Sequence, residues 1–132
     1  MSGGGFGGCG PALRRAARSA VRDCLGLQRG ERLLILTNPG VEVRSIAKAL
    51  YAAALEAQGI PTLLVAPRRS QLQFADPAVW AALGTRPETF VSLTEDRIGR
   101  DPRGTENPYQ AAGRSYDNLL RYLLYGERCL RA

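Results

Sequence analysis

A chain of 132 residues, 45% hydrophobic and 23% charged, has the length and balance of one folded domain, not of a disordered chain or of two independent bodies. No apolar run reaches the roughly 18–20 residues of a membrane-crossing helix, and the N-terminus lacks the basic-then-apolar plan of a secretory signal, so a cytoplasmic location with no membrane partner is expected. The formal charge of +6 comes almost wholly from arginine, and without interleaved aromatics or a recognisable module it does not point to nucleic acid.

The segment Met1–Gly10 is glycine-rich and predicts a disordered leader ahead of a single domain over residues 11–132. Gly5, Gly7 and Gly10 match the G-x-G-x-x-G spacing, but no strand precedes them, so the dinucleotide fingerprint lacks its physical context. Pro11 then opens a helix to about Leu25, with Leu13, Ala16, Ala17, Ala20, Val21 and Cys24 on its apolar face. Arg14, Arg15, Arg18 and Arg22 lie off that face. The stripe Arg14, Arg18, Arg22 reads as a solvated helix face, with grip on an anionic partner as the alternative.

After a turn at Leu27–Gly30, the short apolar run Leu33–Leu36 predicts a strand buried on both sides. Asn38 is placed to cap the following helix with Pro39 at its first position. Val43, Ile46, Ala47, Leu50, Ala54 and Ala57 form its apolar face, and Gly59 ends it. A second strand at Thr62–Ala66 closes a β-α-β unit with a right-handed crossover, so the two strands are expected to be parallel. A short helix over Asp76–Leu83 follows, with Asp76 as cap and Trp80 as its anchor on the sheet.

The third strand is predicted at Thr89–Leu93, followed by a long loop through Thr94–Pro108 and a last helix from about Ser115 to Tyr125. Tyr116, Leu119, Leu120, Leu123 and Leu124 give that helix a wide apolar stripe. The fold class that results is α/β: a small Rossmann-like three-layer domain with a short, mainly parallel sheet flanked by helices. A three-stranded sheet leaves an edge uncovered, and together with the wide stripe this predicts a covering partner: a second domain, another copy of the chain or a separate subunit.

The chain contains no histidine, which removes the usual general base of serine and cysteine hydrolases and the commonest metal ligand. Cys9, Cys24 and Cys129 are odd in number and form no C-x-x-C pair, so they read as reduced thiols and not as a disulfide or zinc framework. The carboxylates Glu95, Asp96, Asp101 and Glu106 share the long loop with Arg97, Arg100 and Arg103 and read as solvated. No catalytic or metal-binding residue is assigned. Ligands of open parallel sheets bind beyond the carboxyl ends of the strands, and there the candidate binding residues are Thr37, Asn38 and Gly40 at the first strand, Arg68, Arg69 and Ser70 at the second, and Thr94 and Glu95 at the third. A helix N-terminus beside arginines suits a small carboxylate or phosphate. The alternative is that Asn38 is only a cap and the arginines only face solvent.

Several segments taken together resemble a known family. They are the helix ending Cys24-Leu25-Gly26-Leu27, the turn Gln28-Arg29-Gly30-Glu31-Arg32, the strand Leu33–Leu36 with its Ala-rich helix, the strand Thr62–Ala66, and the C-terminal run Tyr116–Gly126 with Arg128–Ala132. Over Ala12 to Ala132 the chain resembles the N-terminal domain of the thermophilic-type metalloaminopeptidases, also called leucyl aminopeptidases. The resemblance implies a two-domain exopeptidase whose two divalent metal ions are held by the C-terminal domain. This chain then supplies cleft walls or oligomer contacts, holds no cofactor and is inactive alone. Its partners are a C-terminal catalytic domain or a homo-oligomer mate. The other readings are a free-standing module for a small anion or nucleotide and a structural subunit that dimerises.

Overall fold

The computed structural model describes residues 10–67, 77–93, 101–126 and 130–131. The predicted α/β class is what it shows: a three-stranded parallel sheet with helices on both faces. Helix α1 (Pro11–Ser19) leads to strand β1 (Arg32–Thr37), helix α2 (Val41–Glu56), strand β2 (Ile60–Val65), helix α3 (Pro77–Gly84) and strand β3 (Thr89–Leu93). The sheet order is β2-β1-β3, with Leu33 opposite Pro61 on one side and Thr89 on the other.

β1 lies at the centre because its side chains can be buried on both faces. Leu33 and Ile35 join α1 and α2 in one apolar cluster with Val21, Ala47, Leu50 and Ala54. Leu34 and Leu36 point the other way, into a cluster with Val79, Trp80, Leu83, Phe90, Leu123 and Leu130. This is the period-2 alternation of a strand read by two different layers, and Trp80 is the anchor of α3 that its sequence position predicted.

Three expectations are corrected on the first layer. Cys24 is exposed, not part of the apolar face, because α1 continues as a π-helical turn over Ala20–Cys24. The amide of Leu25 reaches back to the carbonyl of Ala20. The extra residue rotates Cys24 outward while Val21 stays in the core. On α2, Ile46 is exposed, and Ala49 and Ala53 are buried in its stead. That helix packs against both the sheet and α1, so its buried arc is set by two neighbours, and alanines allow the close approach. Gly59 does not supply the left-handed stop of α2, since Gln58 takes that conformation at φ 64°. Gly59 is needed where a Cβ would run into the Leu27 side chain, 2.6 Å away.

The C-terminal third departs further from expectation. Inside the predicted long loop is a short helix α4 (Pro102–Glu106), and Tyr109–Ala111 (β4) and Arg114–Tyr116 (β5) form an antiparallel hairpin. Its two turn residues, Ala112 and Gly113, both have positive φ, the geometry that matches the twist of a tight hairpin. The last helix therefore starts at Leu119 (α5, Leu119–Arg121) and runs on as a π-helical stretch over Tyr122–Gly126. The predicted start at Ser115 is too early because β5 holds the chain as far as Tyr116. Part of the wide stripe is spent internally: Leu123 is buried, and Leu119, Leu120, Tyr122 and Leu124 pack against the α3 cluster.

Ion pairs tie distant segments at the surface. Arg18 forms a two-pronged pair with Glu56 at 2.8 and 3.0 Å, joining α1 to α2. Arg131 pairs with Glu31 at 2.5 Å. Hydrogen bonding from Arg18, with the nearby charges of Arg22 and Arg14, holds the Glu56 carboxyl below its ordinary pKa. The Arg131 guanidinium and the Gln28 amide do the same for Glu31. A carboxyl depressed in the folded state adds stability above its unfolded pKa, about 4.3, and loses it as pH falls through the lower folded value. The melting temperature is therefore expected to fall as pH drops below about 4, and Glu31→Gln should flatten that fall in a pH series of thermal melts. An unchanged acid slope would contradict the role of Glu31.

Candidate functional site

The sheet order β2-β1-β3 puts β2 and β3 on opposite sides of β1, with α2 on one face and α3 on the other, so the strand order reverses between the carboxyl ends of β1 and β3. That is the switch point where such sheets receive ligands. Thr37 ends β1 there, next to Asn38, and both are buried. The Thr37 hydroxyl lies 3.3 Å from the carbonyl oxygens of Leu93 and of Asn38. Asn38 Nδ2 donates to the Ala66 carbonyl at 2.9 Å, and the Ala66 amide returns to the Thr37 carbonyl at 2.9 Å. The two residues stitch the end of the central strand to both neighbours.

The expected capping role of Asn38 is thereby corrected. The N-cap of α2 is Gly40, with no side-chain cap, and the helix starts at Val41. Pro39 lies before the helix instead of at its first position, and the Pro39-Gly40 step carries the chain away from Asn38, whose amide turns into the sheet. Of the candidate binding residues, Thr37, Asn38 and Gly40 stand together at the strand ends. Arg68, Arg69, Ser70, Thr94 and Glu95 lie outside the described residues, as do Asp76, Cys9 and Cys129. Removing the buried Asn38 amide leaves the Ala66 carbonyl without this donor, at a cost of about 1–3 kcal/mol. Asn38→Ala is expected to lower the denaturant midpoint with an unchanged m-value, and a midpoint equal to that of the parent chain would show that the stitch is dispensable.

A second polar network sits at the opposite, amino end of the sheet. The Arg32 amide donates to Glu88 Oε1 at 2.6 Å, and its guanidinium donates to the carbonyls of Thr85 and Arg86. Arg131, besides pairing with Glu31, donates to Thr89 Oγ1 at 3.2 Å. The Arg131 backbone continues the sheet past β3: its amide bonds to Glu88, its carbonyl accepts from Phe90, and a parallel bridge joins it to Thr89. Sequence reasoning assigns none of these residues, because single charges near strand starts carry no pattern that distinguishes ties from solvated groups.

The C-terminal elements hold two further features. Asp101 is buried and its Oδ2 accepts hydrogen bonds from the Tyr109 hydroxyl and the Leu119 amide, each at 3.0 Å. The reading of Asp101 as a solvated loop carboxylate is corrected by those bonds. A half-open groove of about 560 Å³ is lined by Ala112, Arg114, Tyr116, Leu124 and Tyr125, from the hairpin and the last helical segment. It has one guanidinium and two phenols, groups that can donate hydrogen bonds to a ligand.

The described residues assemble no two-metal centre. The sequence has no histidine, and among the described residues no group of three His, Cys, Asp or Glu side chains stands together. Asp101, the buried carboxylate, is engaged by its hydrogen-bond donors. Arg18 of the α1 stripe is taken by Glu56. Among the described residues no helix is long and apolar enough to cross a membrane.

No family model matches the chain, and no curated protein matches it. Among solved structures, the chain is similar to a 2,5-dihydroxypyridine dioxygenase from Pseudomonas putida KT2440, at 11% identity and a TM-score of 0.48. The match covers 71% of this chain and 30% of that one.

Proposed function

We propose that this chain is a non-catalytic α/β domain of the kind found at the N-terminus of thermophilic-type metalloaminopeptidases. In this reading it contributes cleft walls or oligomer contacts, and the chemistry resides in a metal-bearing domain that is not part of these residues. The observation that supports the reading most is the condition of the switch point. Thr37 and Asn38, the polar side chains best placed to meet a ligand there, are buried and spent on Leu93 and Ala66. A ligand at that place would have to break bonds that hold the strand ends together, which costs about 1–3 kcal/mol for each buried partner left unmet.

The test is twofold. The reading frame beyond Ala132 is expected to continue into a domain bearing histidine and glutamate, and a stop codon there would overturn the proposal. The purified chain is expected to give no turnover of aminoacyl-anilides with added zinc, cobalt or manganese while its circular dichroism reports a folded α/β domain. Turnover abolished by a chelator would mean that carboxylates of this chain assemble a working metal centre, and the non-catalytic role would be overturned.

A further inference from the structure

The two edges of the sheet are treated differently. At β3 the backbone of Arg131 forms a parallel bridge to Thr89. At β2 no described residue pairs with the outer side of the strand, and the surface around it is apolar. Ile60 is 53% exposed, Val65 45%, and Leu55, at the end of the adjoining α2, 53%. Leu63 and Leu64 are half-buried. An exposed apolar edge strand is a template for pairing with another chain unless something blunts it.

The direction of each backbone group in β2 follows from its bonds to β1. The amides of Ile60 and Ala66 donate to Glu31 and Thr37, so the even-numbered residues turn their backbone groups inward. By alternation Pro61, Leu63, Val65 and Pro67 turn theirs outward. Prolines carry no N–H, so the outer edge offers donors only at Leu63 and Val65, with a donorless residue at each end. Such a pattern blocks extended pairing in any register, and it leaves one short window that is its own complement.

We infer that this edge pairs antiparallel with the β2 edge of a second copy of the chain, about a two-fold axis passing through Leu64. In that register Leu63 faces Val65 of the second copy and Val65 faces its Leu63, and each pair exchanges both of its hydrogen bonds. Every outward donor of the window is satisfied. Pro61 falls opposite Pro67, so no donor is stranded at either end. A shift by two residues in either direction keeps the number of bonds but brings a proline into the paired window, where its ring takes the place of a donor against the facing carbonyl and leaves that pair with one bond instead of two.

The side chains agree with this register. Leu63 and the exposed Val65 are on the α2 side of the sheet, where the pairing makes them direct cross-strand neighbours, and Leu64 meets its own copy on the other side. A two-fold perpendicular to the sheet keeps both copies' α2 helices on the same face and gives one continuous sheet in the order β3-β1-β2-β2-β1-β3. The contact closes on itself and does not propagate into a fibre. The pairing stands on the edge alone and holds whether or not the domain belongs to a peptidase.

The experiment uses the full chain. Light scattering over a concentration series is expected to show the mass rising to twice that of the monomer, and Val65→Lys, a change at an exposed position, is expected to hold it at the monomer mass with unchanged circular dichroism. In a background with Cys9→Ser, Cys24→Ser and Cys129→Ser, Leu64→Cys is expected to oxidise to a covalent dimer, since residues on the axis face each other at about 4.5 Å between Cα atoms. Thr62→Cys, off the axis, is expected to stay largely monomeric. A parent chain that remains monomeric at the highest concentration would overturn the pairing, as would a dimer unaffected by Val65→Lys. A Thr62→Cys dimer formed more readily than the Leu64→Cys one would overturn the register.

Discussion

Ile35→Ala is expected to lower stability by about 2–5 kcal/mol. Ile35 is fully buried in the central strand, between Leu63 of β2 and Val91 of β3. Its side chain belongs to the cluster that joins the sheet to α1 and α2. Neither neighbour can move into the space left, because each is held by parallel pairing to β1 itself, so the loss combines the transfer term with a residual cavity. For a domain of this size the melting temperature is expected to fall by roughly 10 °C or more. Ile35→Val, which removes one methylene, should cost about 0.5–1.5 kcal/mol. Val65→Ala provides the contrast on the same face of the sheet: at an edge position nearly half exposed, it is expected to change monomer stability by under about 1 kcal/mol. Equal losses at positions 35 and 65 in chemical denaturation would mean that β1 is not the centre of the core.

The parallel sheet is legible in the sequence because its signals are local and redundant. Leu33–Leu36 is a continuous apolar run bounded by turn residues, β3 occupies the predicted Thr89–Leu93, and the β-α-β spacing leaves little freedom in topology. Cys24 is misplaced by periodicity because its burial depends on helical phase. A π-helical turn adds a residue that no periodicity count includes. Asn38 is misplaced for a different reason: capping and strand stitching use the same amide, and only the conformation of Pro39-Gly40 decides between them. The hairpin is invisible because its strands are three residues each, too short for alternation to register, and its turn is Ala112-Gly113 rather than the Asn-Gly or Asp-Gly pair that signals such turns. At the candidate site, the placement of Thr37 and Asn38 at the strand ends is legible. Their engagement with Leu93 and Ala66 is not, since it joins residues 28 and 56 positions apart.

That C-terminal region, hidden from the sequence, depends on one carboxylate, and Asp101→Ala is expected to destabilise it by about 3 kcal/mol. Asp101 Oδ2 receives the Tyr109 hydroxyl from β4 and the Leu119 amide from the first residue of α5, and hydrogen bonds to a charged acceptor contribute about 1.5–3 kcal/mol each. Its backbone carbonyl separately accepts the amide and hydroxyl of Thr105 in α4. One residue therefore fixes the starts of α4 and α5 and the hairpin between them. Gly104 completes the arrangement, because a Cβ there would collide with the Asp117 carbonyl just before α5. Alanine at position 101 keeps the Thr105 bonds and removes only the side-chain acceptor, leaving the Leu119 amide without it in a half-buried place. Asp101→Asn retains one acceptor oxygen and should lose less, and Tyr109→Phe, which deletes one donor, should lose about half as much as Asp101→Ala. Because Leu123, just after α5, inserts into the α3 cluster with Trp80, loosening this region should also weaken the near-ultraviolet signal of Trp80. Thermal melts read at that wavelength and in the far ultraviolet test both consequences together. A melting temperature for Asp101→Ala within about 2 °C of the parent would mean that the hairpin and last helix are held by apolar packing alone, with the carboxylate incidental.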